Sequence, residues 1–207
     1  MLAGELASIT DGDTKPILKT EQELILDCQQ GDRASFRILY QTYQKRVRST
    51  LYQLCGKQML DDLVQEVFFR VWKGLPKLSK VEYFSTWLYR ISWNVAIDRR
   101  RKLAKNRDLT NTIDSATLEI EDKINFSLAN VQEAPDLMHL HYQDLVQRGL
   151  KYLSFEHRAV LVLHDLEDLP QKQVAKILDI PLGTVKSRLF HARNSLKKFL
   201  QKQGISF

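Results

Sequence analysis

Lys186, Ser187, Arg188, Phe190, His191 and Arg193 crowd eight consecutive positions of the chain. Phased at 100° per residue, Lys186, Ser187, Phe190, Arg193, Asn194 and Lys197 share one side of a helix, opposite Val185, Leu189, Ala192, Leu196 and Leu200. Lysine and arginine reach guanine or phosphate, a serine hydroxyl is a versatile base partner, and a phenylalanine can touch a thymine methyl. An ordinary solvated cationic face would need no aromatic. Phe190 on the wet side, with small Gly183 and Thr184 at the helix start, turns the reading towards a DNA major groove.

A second constellation lies in "YFSTWLYRISWNVAIDRRRK", residues 83–102. Helical phasing directs Phe84, Leu88, Ile91 and Val95 inward. Tyr89, Trp93 and Arg100 then point the opposite way, with Arg90, Asn94 and Arg101 on an adjacent strip. Rings interleaved with guanidinium groups and an amide suit a single-stranded nucleic acid, whose bases stack on aromatics for about 1–3 kcal/mol each. The competing reading packs the helix on two sides and makes its tryptophans core. That reading is preferred for Trp87; for Trp93 the residues leave both open.

A third helix, "DDLVQEVFFRVW" (61–72), buries Leu63, Val64, Val67, Phe68, Val71 and Trp72 and turns Asp62, Gln65 and Glu66 outward. This acidic face either docks a basic partner helix or is simply wet. Catalysis finds no support. The chain shows no metal-ligand cluster, Gly-rich phosphate loop or nucleophile–base pair. His139 and His141, two apart on a helix, point away from each other, and Asp61 and Asp62 read as a helix cap. Neither an enzyme nor a cofactor or metal is expected.

These residues must be held by helices. Pro181 disfavours helical geometry at Ile180 but suits a first turn. A helix therefore ends near Leu178, turns at Asp179-Ile180, and a second starts at Pro181. Asp179 takes the left-handed turn position, which Asp tolerates. Val174, Ala175 and Leu178 can pack on Val185 and Leu189, giving a helix-turn-helix. Upstream, Thr20 and Glu23 have capping-box spacing, Gly31 ends that helix and Asp32 caps the next. Phe36, Leu39, Tyr40, Tyr43, Val47, Leu51 and Leu54 mark a long amphipathic helix ending before Gly56. "GLPKLSKVEY" reads as a loop, and a helix starts near Tyr83. Helical pattern resumes at Leu137 and restarts after a Ser154 cap. The fold class is all-α: two small helical domains at 20–105 and 136–203, a linker at 106–135, and an N-terminal extension at 1–19 read as disordered.

Charge follows this division. The chain has 207 residues and a net charge of +6, with pI near 9.3. Residues 1–105 carry 18 basic and 12 acidic groups, 106–135 carry 2 and 6, and 136–207 carry 11 and 7, so two basic blocks flank an acidic middle. Polyanion partners fit this balance. No signal peptide or apolar run of about 20 residues is present, so no membrane span is expected. Only two cysteines occur, Cys28 and Cys55. A reduced, cytoplasmic setting is expected.

In order and spacing, "DDLVQEVFFRVW", "FSTWLYRISWNVAIDRRR" and "LPQKQVAKILDIPLGTVKSRLFHAR" resemble the polymerase-docking, promoter-melting and −35-reading segments of the extracytoplasmic-function (ECF) sigma factors. The resemblance covers about residues 21–105 and 136–203. It implies a sigma-2-like bundle and a sigma-4-like helix-turn-helix domain that direct bacterial RNA polymerase core to promoters and assist −10 strand opening. Asp61, Asp62, Gln65 and Glu66 would grip the polymerase clamp helices, and the polymerase flap would be a further contact. Leu78, Arg90, Trp93, Asn94 and Arg101 would meet the −10 strand, Asn94 matching a position that lines a flipped-base pocket. Lys186, Ser187, Phe190 and His191 would face −35 bases, while Thr184, Arg188 and Arg193 position the DNA backbone. The acidic linker would thread the polymerase near the RNA exit path. An anti-sigma factor is the implied regulator. Two departures stand out: Leu78 sits where the family often has an aromatic, and His191 where Arg is frequent. A neutral imidazole lacks the bidentate guanine contact of Arg, so the usual −35 sequence is not implied. The rival reading is a stand-alone helix-turn-helix regulator that binds duplex DNA as a dimer.

Overall fold

The computed structural model describes residues 19–110 and 137–205, and every regular element among them is helical. Helix α1 spans Glu21–Gln29 and α2 Arg33–Cys55. Helix α3 spans Leu60–Gly74 and α4 Phe84–Thr110. The second unit contains α5, Leu137–Tyr152, α6, Phe155–Leu161, α7, Gln171–Leu178, and α8, Leu182–Lys202. A π-helical turn, Val162–Leu166, follows α6. The expected extension at 1–18, the linker between 111 and 136, and the side chains of His139 and His141 lie outside the described residues.

Local chemistry accounts for most helix ends. The Thr20 hydroxyl accepts from Glu23 N at 3.3 Å while Thr20 N donates to the Glu23 carboxylate at 2.7 Å, a complete capping box. Asp32 caps α2 by accepting from Ala34 N and Ser35 N. Ser154 accepts from His157 N at 3.3 Å at the start of α6. The loop after α3 is drawn into two 3₁₀ turns, Leu75–Lys77 and Val81–Tyr83. Gln29 Nε2 ties this loop to α1 by donating to Leu75 O and Leu78 O.

Helix α3 corrects one expectation. Asp61 and Asp62 do not cap it: Leu60 already begins the helix, and Met59, at φ 56°, occupies the cap position without a side-chain bond. The two carboxylates sit in the first turn, where the positive end of the helix dipole favours them. Helix α4 also outruns its expected end, continuing through Thr110 because nothing in "RRRKLAKNRDLT" breaks it.

In the first unit α2, α3 and α4 pack around Leu39, Leu51, Val67, Val71, Phe84 and Leu88, all buried. Edge-to-face rings fill the gaps, with Tyr40 against Phe68 at 4.6 Å and Tyr43 against Phe84 at 5.3 Å. Gly74 lets α3 approach α4, since a Cβ there would stand 2.7 Å from the Trp87 ring. In the second unit α8 packs on α5, α6 and α7 through Val185, Leu189 and Ala192.

The two units touch. Helix α7 lies against α4, and the π turn and α6 lie against α2. Arg158 of α6 joins the ends of two helices: its guanidinium donates to Leu150 O at 2.7 Å in α5 and to Leu54 O at 2.9 Å in α2. Carbonyls at helix C-termini lack intrahelical partners and carry partial negative charge, so one half-buried cation satisfies both ends. That burial pulls the Arg158 guanidinium below its ordinary proton affinity.

Candidate nucleic-acid interface

The helix-turn-helix forms as its residues require. Asp179 closes α7 in the left-handed region (φ 55°, ψ 50°), and Ile180 N donates to Ala175 O at 3.1 Å. Pro181, at ψ 146°, stands at the cap of α8 one residue before the helical run, where its missing N–H costs nothing. Val174, Ile177 and Leu178 bury against Val185 and Leu189, fixing the second helix with its polar strip outward.

On that strip Lys186, Ser187, His191 and Arg193 are exposed, and Phe190 is 63% exposed. Thr184 and Arg188 are half-buried. A large aromatic that wet, on a helix whose other face is well packed, has no packing role among the described residues. Asp165 holds Arg193 in place, accepting from its Nε at 2.9 Å and Nη2 at 2.5 Å, and this pairing raises the guanidinium pKa further. His191 stacks loosely with His157, ring centroids 6.1 Å apart.

The first unit is more divided. Arg90, Asn94 and Arg101 lie within about 40° of one another on α4 and are exposed. Tyr89 corrects the expected outward strip, being only 4% exposed beneath the second unit. Trp93 is half-buried, its ring stacked on Phe155 of α6 at 5.0 Å and 16°. Arg100 lies over the same Phe155 ring at 4.9 Å and bonds Glu156 at 2.6 Å. Periodicity marks a helix side as apolar or polar, but it does not tell water from the surface of another domain. Leu78 is half-buried against the core rather than displayed.

Helix α3 presents Asp61, Asp62 and Gln65 to solvent. Asp61 pairs with Arg48, and Glu66 accepts from Arg70 Nε at 2.7 Å. Arg70 also reaches Asp98 at 2.9 Å and so braces α3 on α4. Sequence reasoning missed the apolar half of this face. Gln65 borders an open cleft of about 480 Å³ lined by Phe36, Tyr40, Phe68, Phe69 and Trp72, and Phe69 is 53% exposed. The signal was the second Phe of "VFF", one residue beyond the buried stripe. Carboxylates beside an open aromatic cleft suit an amphipathic partner helix better than a nucleic acid.

The Sigma-70 region 2 family model matches residues 39–106, and Sigma-70, region 4 matches residues 143–196. The ECF RNA polymerase sigma-E factor of Escherichia coli K12 is 30% identical over 184 residues, covering 88% of this chain and 95% of that protein. The sigma-E factor of Haemophilus influenzae is 27% identical over 190 residues, with 88% and 96% covered. The fold is similar to that of CnrH solved in complex with the cytosolic domain of CnrY (TM-score 0.60, 21% identity, 88% of this chain and 97% of that one). It is also similar to RpoE from Bartonella quintana solved with the anti-sigma factor NepR (TM-score 0.63, 22% identity, 80% and 96%). With both regions present in order on two helical units, and similarity running through nearly the whole of those relatives, the chain belongs to the extracytoplasmic-function RNA polymerase sigma factors, which act in transcription initiation.

Proposed function

We propose that three separate surfaces divide the work of initiation. Asp61, Asp62, Gln65 and Glu66, with the aromatic cleft beside them, dock the clamp helices of core RNA polymerase. Arg90, Asn94, Arg101 and Trp93, with Leu78 shaping the adjoining loop, take the melted −10 strand. Lys186, Ser187, Phe190 and His191 read −35 bases, while Thr184, Arg188 and Arg193 grip the DNA backbone. Residues 20–105 and 136–203 act as the two functional domains, the first prolonged by the rest of α4. The second also meets the polymerase flap. Residues 106–135, net −4, run through the polymerase as a negative tether.

The protein itself performs no bond chemistry; the polymerase does. It works in the cytoplasm, and no helix among the described residues is long and apolar enough to cross a membrane. Its regulator is an anti-sigma factor, as NepR is for the B. quintana relative.

One observation supports this reading: Phe190 and its cationic neighbours are displayed on the second helix of a helix-turn-helix, while the acidic face of α3 borders a separate, open aromatic cleft. A stand-alone regulator would use the first without the second. Purified protein mixed with core polymerase and a melted promoter fork decides the matter. The expected outcome is a ternary complex and a transcript, with poor binding to free duplex. Tight dimeric binding to duplex DNA without polymerase would favour the stand-alone regulator.

A further inference from the structure

Glu167 is 6% exposed and is the one acidic side chain in the buried set of the described residues. It belongs to the second unit, yet all three of its side-chain partners come from the first. Tyr89 Oη donates to Oε2 at 2.6 Å, Thr50 Oγ1 to Oε1 at 2.9 Å and Arg46 Nε to Oε2 at 3.2 Å. Burial, and then contact with this carboxylate, push the Tyr89 phenol far above its ordinary range.

The backbone is distorted to place this group. Val162–Leu166 is a π turn, Glu167 N donates to Val162 O at 3.0 Å, and Asp168 follows at φ 53°. Wide turns inside helices and left-handed non-glycine residues are rare and cluster where function needs them. Leu163 and Leu169 on either side are buried, and between them the Glu167 side chain crosses to the first unit.

A buried carboxylate is stable only while its hydrogen-bond donors remain. Here every donor leaves when the units part, and each group then exchanges its partner for water, so parting costs only the modest net worth of these bonds. The same contact covers Trp93 with Phe155 and ties Arg100 to Glu156.

We infer that Glu167, Tyr89, Thr50 and Arg46 form a latch that holds this sigma factor closed, with part of its strand-reading face covered, and that the latch sets the fraction of molecules open for DNA. The closed form is the one described above. In the open form α6 lifts from α4, freeing Trp93 and Arg100. A binding-competent state that is only partly populated lowers apparent affinity by its own fraction. Loosening the latch therefore raises affinity for single-stranded DNA although no DNA-contacting residue changes. Polymerase or a melted promoter draws on the same open population.

The test uses the full chain with Glu167→Gln and, separately, Tyr89→Phe. The second keeps shape and net charge and removes one donor, so a gain in DNA affinity from it is not electrostatic. Small-angle scattering reads the separation of the units. Fluorescence anisotropy with a labelled single strand of randomised sequence reads the strand site, and helical circular dichroism checks folding. Both variants should expand while keeping their helical signal, and both should bind the strand roughly fivefold to tenfold more tightly. Folded variants with the scattering profile of the parent would overturn the latch. The strand readout rests on the proposed role of Trp93. Expansion without tighter strand binding would uphold the latch and remove that assignment instead.

Discussion

Gly183 lies in the first turn of α8, inside a helix, where glycine costs about 0.8–1.0 kcal/mol relative to alanine. Within the chain it has no evident reason to be there. A Cβ built on it meets nothing within 4 Å, and its φ is not in the left-handed region. Gly149 makes the contrast: a Cβ there would stand 2.6 Å from Leu196 Cδ1, so that glycine is required for α5 to approach α8. Gly183→Ala should therefore stabilise the free protein by about 0.5–1 kcal/mol, discounted for its place near the helix end. For a domain pair of this size that is a rise of roughly 1–4 °C in Tm, read by thermal denaturation. Gly149→Ala should move the other way, overpacking outweighing the propensity gain by up to about 2 kcal/mol. If the space beside Gly183 is kept open for a DNA backbone, the same alanine should weaken promoter occupancy by the polymerase holoenzyme in footprinting. A variant less stable than the parent would refute the steric reasoning. A more stable one with unchanged occupancy would place Gly183 away from DNA.

Replacing Arg158 with Met strips four main-chain oxygens of their donor, two of them at 2.9 Å or less, and should cost about 3 kcal/mol in urea denaturation; a loss under about 1 kcal/mol would mean water replaces the guanidinium. Trp93→Ala or Asn94→Ala should impair promoter opening, measured by permanganate reactivity, and leave polymerase binding intact. Lys186→Ala should either lower the salt slope of promoter binding by about one or alter base preference at one −35 position; no change in either would remove it from the interface. Burial pushes the Cys28 thiol up to about 12 and Cys55 up to about 11. Both stay protonated in the folded chain at pH 9, where unfolded thiols near 8.5 are largely ionised. Their contribution to stability is thus complete below about pH 8.5 and lost as pH rises through 11 to 12, and iodoacetamide at pH 8 should label the native protein far more slowly than the urea-unfolded one.

What sequence could reach was local. The turn between α7 and α8 follows from Asp179 and Pro181 alone, and the caps at Thr20, Asp32 and Ser154 each depend on residues within three positions. The exposed polar strip of α8 followed too, since Val185, Leu189 and Ala192 set the phase of the helix without help from elsewhere. Where partners are distant the reading failed. Tyr89 looked outward because nothing near it in sequence announces Glu167, 78 residues away. Asp61 and Asp62 passed for a cap because the left-handed backbone of Met59, which does that work without a side-chain bond, leaves no compositional trace.

The contact between the units combines apolar packing with buried polar bonds, and this bears on how such a small protein can be selective. With the surfaces proposed above, each unit would offer DNA only a short strip of side chains, so neither alone would have the contact area that selective binding requires. Joining them through a tether and a common polymerase converts the second contact into an intramolecular one, gaining affinity without new interactions. That gain exists only if the units can stand apart at the spacing of the two promoter elements. An interface sealed by a large apolar core would hold them together and forfeit it. Arg46, Tyr89 and Thr50 around one carboxylate, and Arg158 across two helix ends, make part of the joint from groups that hydrate readily on release. The stacking of Trp93 on Phe155 is one apolar element of the contact, and its loss on opening is offset if a base takes the place of Phe155 on the same ring.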